Sequence, residues 1–342
     1  MTTNQWETLL KVIVGEQVEP LPVGFIIDSP WLPNWAGMTI KEYFDNDQKW
    51  LDANLKAVRK FPDLIFLPGF WSEFGMCTEP AAFGAKCIWY EDDFPFAEKV
   101  ITEAERIQDL EVPDPRTAGL CPAMLARLKK NQGAIEDEGH AIKFAVARGP
   151  LNVASFLMGT TEFLMAMSMQ PELCTELLRK VTDFTVDWIK VQKEAFPSIE
   201  GVLLLDDICG FIGPDDFQTH AAPNMKRIYE AFDAKVKFFH NDAEGKHCAP
   251  YLADIGINLF NFSFEHSLPE MKEWTDNKVA LLGNIPPRDV LAQGAPAEVR
   301  SVAKEALASL EDKTRLILSC GGGMPPGVSA DNIRAFLDAV RS

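Results

Sequence analysis

The chain has 342 residues, with 33 Lys plus Arg against 50 Asp plus Glu and a formal net charge of −17, which argues against any partner bound by neutralising phosphates, so no nucleic acid is expected. Hydrophobic residues make up 47% and charged residues 24%, the balance of a globular chain with a large core. Seven scattered cysteines, a start MTTNQWETLLKVIVGEQ without a basic region leading into an apolar stretch, and no run of about 18 apolar residues predict a reduced, cytoplasmic protein that does not engage membranes.

In chain order, short β-branched or aromatic runs that end in polar residues or glycine predict parallel strands. They are VGFIID (23–28), DLIFLP (63–68), KCIWYED (86–92), IKFAVARG (142–149), GVLLLDD (201–207), KVKFFHND (235–242), LFNFSFEH (259–266), KVALLGN (278–284) and RLILSCGGG (315–323). An N-terminal helical extension precedes the first, and an acidic, proline-bearing insertion covers about 91–138. Between the strands, Leu177, Val181, Phe184, Trp188 and Val191 recur in steps of three and four and predict a helix over 171–196. Ile333, Phe336, Leu337 and Val340 give an amphipathic C-terminal helix with Ser329 as its N-cap. Strand and helix alternate without linkers or repeats, which favours a single (β/α)8 barrel over 1–342 rather than a doubly wound sheet. Nine strands are one more than a barrel needs.

Catalytic groups of such barrels sit at the C-terminal ends of the strands. Those ends carry Asp28, Arg148, Asp206, Asp207, His240, Asp242, Glu265, His266, Asn284 and Cys320, the last followed by Gly321, Gly322 and Gly323. Carboxylates, imidazole and a thiol on one rim suit zinc, which accepts N, O and S donors together. His240 and Asp242 stand two apart and face the same side of a strand. The pair Asp206 and Asp207 needs a cation, a proton or donors if buried. Trp31, Trp35, Phe70 and Trp71 lie near the ends of the first two strands and predict an aromatic pocket at the mouth.

The segments LLLDDICGFIGPDDF, FFHND, LLGNIPPRDVLAQGAPAEV and ILSCGGGMPPGVSADNIRAFLDAV are together similar, in order and spacing, to the uroporphyrinogen decarboxylase superfamily over essentially the whole chain. The resemblance implies a TIM barrel and one of two activities, decarboxylation of a tetrapyrrole or zinc-dependent methyl transfer involving corrinoid proteins. Decarboxylases of the family carry an Arg-Gln-Ala-Gly-Arg stretch that clamps their acidic substrate; here GFIIDSPWLPNWAG stands in its place, without either arginine. The methyltransferases carry His-x-Cys and Gly-Cys-Gly. His240 matches the histidine, Asp242 replaces the first cysteine, and Gly322 falls at the second, with Cys320 two residues early.

The resulting expectation is a methyltransferase that moves a methyl group from an aromatic methyl ether to the cobalt of a separate corrinoid protein, which carries the cobalamin. His240, Asp206 and Asp207 are its catalytic candidates. Candidate zinc ligands are His240, Asp242, Glu265 and Cys320, with Asp207 as a further acid, and Trp31, Trp35, Phe70, Trp71, Arg148 and Asn284 would bind the methyl donor. Two alternatives stay open: decarboxylation of another substrate, and a non-catalytic corrinoid- or tetrapyrrole-binding protein. A homodimer is also left open.

Overall fold

The computed structural model describes residues 1–27 and 30–341. Its core is a parallel sheet of strands that we number β1 (Gly24–Ile26), β2 (Ile65–Leu67), β3 (Phe144–Arg148), β4 (Gly201–Leu205), β5 (Val236–Asn241), β6 (Leu259–Phe262), β7 (Ala280–Ile285) and β8 (Leu316–Cys320). Hydrogen-bonded ladders run without a break from β3 to β8, and β1 pairs with β2. A parallel bridge between Val23 and Leu318 joins the two sets, giving the cyclic order of a (β/α)8 barrel. No ladder links β2 to β3 among the described residues; their side chains Ile65, Leu67, Phe144 and Val146 share one interior cluster instead.

The third predicted strand is not part of the barrel. Cys87–Ile88 pairs antiparallel with Phe96–Ala97 in a separate hairpin, which accounts for the ninth candidate. The predicted insertion contributes one strand of this hairpin, a short helical turn at Ala104–Asp109 and the helix Cys121–Asp137.

Alternation within the strands assigns each residue to the barrel interior or to the helix layer. Phe144, Val146, Leu203, Leu205, Val236, Phe238, Leu259, Leu282 and Ile317 fill the interior, whereas Val202, Leu204, Phe239, Phe260, Leu281 and Leu318 pack outward. The N-terminal helix Thr3–Val14 closes the bottom by sending Trp6, Leu9, Val12 and Ile13 into the interior cluster. A Thr2–Gln5 capping box starts that helix, and Gly15, at φ +83°, ends it. The helix expected over 171–196 spans Pro171–Ala195, and Leu177, Val181, Phe184, Trp188 and Val191 are all buried. No helix among the described residues is long and apolar enough to cross a membrane.

Candidate functional site

Strand register sets up the site. Leu205 lies opposite His240, His240 opposite Asn261, and Asn261 opposite Leu282, so these residues form one interior layer at the C-terminal ends of β4 to β7. Above this layer is a cavity of about 310 Å³. Its apolar wall includes Ile26, Met76, Phe94, Leu205 and Met324, and its polar residues are Arg148, Asp207, His240, Asp242 and Arg288.

Hydrogen bonding fixes the imidazole of His240. Its Nδ1 is 2.7 Å from Asn261 Oδ1, and Asn261 uses its amide nitrogen as donor to Leu282 O at 2.7 Å and Cys320 O at 3.3 Å. The Asn261 oxygen is therefore the atom that faces the ring, and Nδ1–H donates to it. Neutral His240 consequently presents the lone pair of Nε2 to the cavity, the arrangement that a buried carbonyl partner gives a ligating histidine. Nε2 is 3.8 Å from Asp207 Oδ1, which also accepts the backbone N–H of Asp242 at 3.1 Å. Ligand atoms of Asp207, His240 and Asp242, one from each, lie within 4.8 Å of one another. Burial pushes the Asp207 carboxyl up from its ordinary range; the nearby His240 opposes this and the like charge of Asp242 adds to it.

Of the other candidates, Asp206 does not join the cluster. It follows β4 one residue out of phase with Leu205, so it turns away from the cavity and caps the helix Pro150–Met158. Its two oxygens accept the backbone N–H groups of Leu151 at 2.8 Å and Asn152 at 3.0 Å. Cys320 likewise alternates outward, in the same cluster as Leu316 and Leu318. Its Sγ–H faces Gly322 O at 3.4 Å, burial pushes the thiol up to about 12, and it lies outside the cluster of Asp207, His240 and Asp242. Glu265 is exposed on the loop after β6 and lies outside the triad. Asn284 is buried and donates to the His266 carbonyl. Arg148 reaches the cavity wall but is paired with the buried Glu73 at 2.6 Å. Asp28 lies outside the described residues.

The aromatic pocket expected at the mouth is placed differently. Trp31 is fully buried, stacks on Trp35 at 5.2 Å and donates its indole N–H to Val328 O. Trp35 borders a separate groove of about 580 Å³ on the outer helices, beside Lys56 and Arg59. Phe70 packs against Trp50 and His140. Trp71 joins the interior cluster of Ile26 and Leu205 and donates its indole N–H to Ile27 O, without lining the cavity. These rings are the inner faces of helices and loops wrapped over β1 and β2. The hairpin Cys87–Ile88 with Phe96–Ala97 instead brings Phe94 to the mouth.

Sequence reasoning missed Phe94, Met76, Arg288, Met324 and Asn261. Only Asn261 carried a signal: it is a polar residue at an interior position of a strand whose other interior position, Leu259, is apolar. The position of Gly322 is also informative. A Cβ there would stand 3.1 Å from Asp242 Oδ2, so this residue borders the acids even though Cys320 does not.

A family model described as uroporphyrinogen decarboxylase matches residues 4–342. The chain belongs to the uroporphyrinogen decarboxylase family. Relatives named uroporphyrinogen decarboxylase include one from Christiangramia forsetii, 24% identical, with 98% of each chain covered. Another, from Chloroherpeton thalassium, is 26% identical over 98% of this chain and 96% of its own. Among solved structures, a methyltransferase from Methanosarcina mazei superposes with a TM-score of 0.82 at 20% identity over 97% of both chains. That likeness establishes the shared fold within the family.

Proposed function

We propose that the protein is a metal-assisted methyltransferase that takes a methyl group from a small ether-type donor and passes it to the cobalt of a corrinoid protein. The observation that carries this reading is the convergence of Asp207, His240 and Asp242 on one point at the cavity, with Nε2 of His240 held as a lone-pair donor by Asn261. One imidazole nitrogen and two carboxylates fit a divalent metal of the zinc type, and two acids held this close need a cation or a shared proton. Asp207, His240 and Asp242 would hold the metal, which when bound supplies Lewis-acid polarisation of the donor's heteroatom.

The chain's own residues supply the rest. Phe94, Met76 and Met324 form an apolar wall that orients a compact donor and keeps water from the reacting bond. In the transfer, the bond between heteroatom and methyl carbon breaks and its electron pair stays on the heteroatom. The new carbon–cobalt bond takes its pair from the reduced cobalt of the acceptor. The departing heteroatom would be left as an anion beside the cation that Asp207, His240 and Asp242 would hold, and would take up its proton from solvent. The fold relationship to a methyltransferase supports this reading.

Decarboxylation of a tetrapyrrole, the activity in the names of the relatives, is less well supported by the cavity. A volume of about 310 Å³ is at the small end for ligand sites, and only Arg148 and Arg288 among its lining residues carry the positive charge that a many-carboxylate macrocycle requires. The test is metal analysis of protein purified without chelator, paired with spectrophotometric methylation of reduced cobalamin by methyl ethers. Wild-type protein should hold about one metal equivalent and consume the reduced cobalamin, and His240→Ala should lose both. Full metal occupancy in His240→Ala, or release of carbon dioxide from a carboxylated substrate without methyl transfer, overturns the proposal.

A further inference from the structure

We infer that Arg288 recognises a single carboxylate on the methyl donor, so that the donor is a small methylated acid held between the Asp207–His240–Asp242 cluster and this guanidinium. The inference rests on the methyl-transfer reading for the word donor, and on the cavity's own charges for the carboxylate. Two arginines line the cavity. Arg148 is already matched, since its guanidinium pairs with Glu73 Oε2 at 2.6 Å and its backbone N–H is held by Glu79 Oε1 at 3.0 Å. Arg288 forms neither an ion pair nor a side-chain hydrogen bond among the described residues.

The charges then sum simply. Asp207 and Asp242 are offset by the cation they would hold, Arg148 is offset by Glu73, and Arg288 is left as one uncompensated positive charge facing the same cavity. One free guanidinium calls for one negative charge, and its planar fork of donors matches a carboxylate. A phosphate brings closer to two charges and would leave one unmatched. Arg288 is exposed at the rim of the cavity. Pro286 and Pro287 restrict the preceding backbone, and the Arg288 carbonyl accepts the Gln293 N–H at 3.0 Å in the turn Pro287–Ala292. In a protein of net charge −17 a local cation is also what an anionic ligand needs in order to settle at the mouth.

Calorimetric titration with 4-hydroxybenzoate and with phenol reads the preference without turnover, on wild type, Arg288→Gln and Arg288→Lys. Wild type should favour 4-hydroxybenzoate over phenol by about 10- to 100-fold. That ratio should collapse towards one in Arg288→Gln and be partly recovered in Arg288→Lys, whose point charge lacks the fork. Equal binding of the two compounds by wild type, binding of neither, or an unchanged ratio in Arg288→Gln overturns the inference. A parallel assay of 4-methoxybenzoate and methoxybenzene with reduced cobalamin separates the two claims. Equal transfer from both donors sinks the carboxylate and leaves methyl transfer standing; carboxylate-selective binding with no transfer does the reverse.

Discussion

At the scale of single residues, two acids adjacent in sequence have opposite roles because strand alternation turns one into the cavity and the other against a helix. Burial pushes the Asp206 carboxyl up to about 8, against the backbone N–H groups of Leu151, Asn152 and Ile208 that favour its charged form. Glu73, Glu79 and Asp207 are raised by burial as well. A carboxyl with a folded-state pKa above its unfolded value binds more protons when folded. Its stabilising contribution is therefore present below the ordinary carboxylate range and is lost as pH rises through the folded value. Measured against Asp206→Asn, the thermal midpoint of metal-free wild-type protein should fall between about pH 4 and about pH 8, because the buried Met1 amine, lowered to about 5, and His140, lowered to about 4, push the other way equally in both proteins. An identical pH slope in wild type and the variant would refute the assignment. Cys320 makes a second residue-scale test: with its thiol turned towards Gly322 O and raised to about 12, Cys320→Ala should keep its metal and lose about 1 kcal/mol of stability. Loss of metal on that change would place the thiol in the ligand set after all.

At the scale of elements, the junction of β3 with the helix Pro150–Met158 shows why the glycine before that helix is constrained. Asp206 fills the space beside Gly149, and a Cβ at that position would overlap the Asp206 carboxylate. Gly149→Ala should therefore push the acid off the Leu151 and Asn152 amides and cost about 1 to 3 kcal/mol, read as a lower denaturant midpoint at unchanged slope. Wild-type stability in this variant would mean that the cap is dispensable. Elements buried on both faces were the legible ones: GVLLLDD and RLILSCGGG are continuous apolar runs ending in polar residues, and they are barrel strands. KCIWYED has the same local look, yet it pairs only with a two-residue partner, because nothing in a short apolar run says which neighbour it will find. His240 and Asp242 were legible from their spacing in one strand. Arg288 and Phe94 were not, since both are brought in by loops whose paths the strand pattern does not encode. Trp31 and Trp71 misled for a related reason: a tryptophan near a strand end packs under a covering helix, as Trp31 does, or into the interior cluster from a loop, as Trp71 does, as readily as it lines a ligand pocket.

At the scale of the whole molecule, the barrel separates stability at its bottom from chemistry at its top. The N-terminal helix Thr3–Val14 plugs the lower end with Trp6, Leu9, Val12 and Ile13, and Leu9 is completely buried there. The cavity with Asp207, His240 and Asp242 opens at the other end, beyond the interior layer of Leu203, Phe238, Leu259 and Ala280. Close-packed layers between the two ends carry any effect of a bottom truncation to the top only through a shift of the strands themselves. Leu9→Ala should leave a void and cost about 2 to 5 kcal/mol, visible as a markedly lower thermal midpoint. Below that midpoint the variant should bind metal and 4-hydroxybenzoate within about twofold of wild type, because sites this far apart and without shared partners behave independently. Weakened binding in a fully folded Leu9→Ala protein would show that the plug holds the strand register on which the His240 layer depends, and the division between a stabilising bottom and a reactive top would not hold for this barrel.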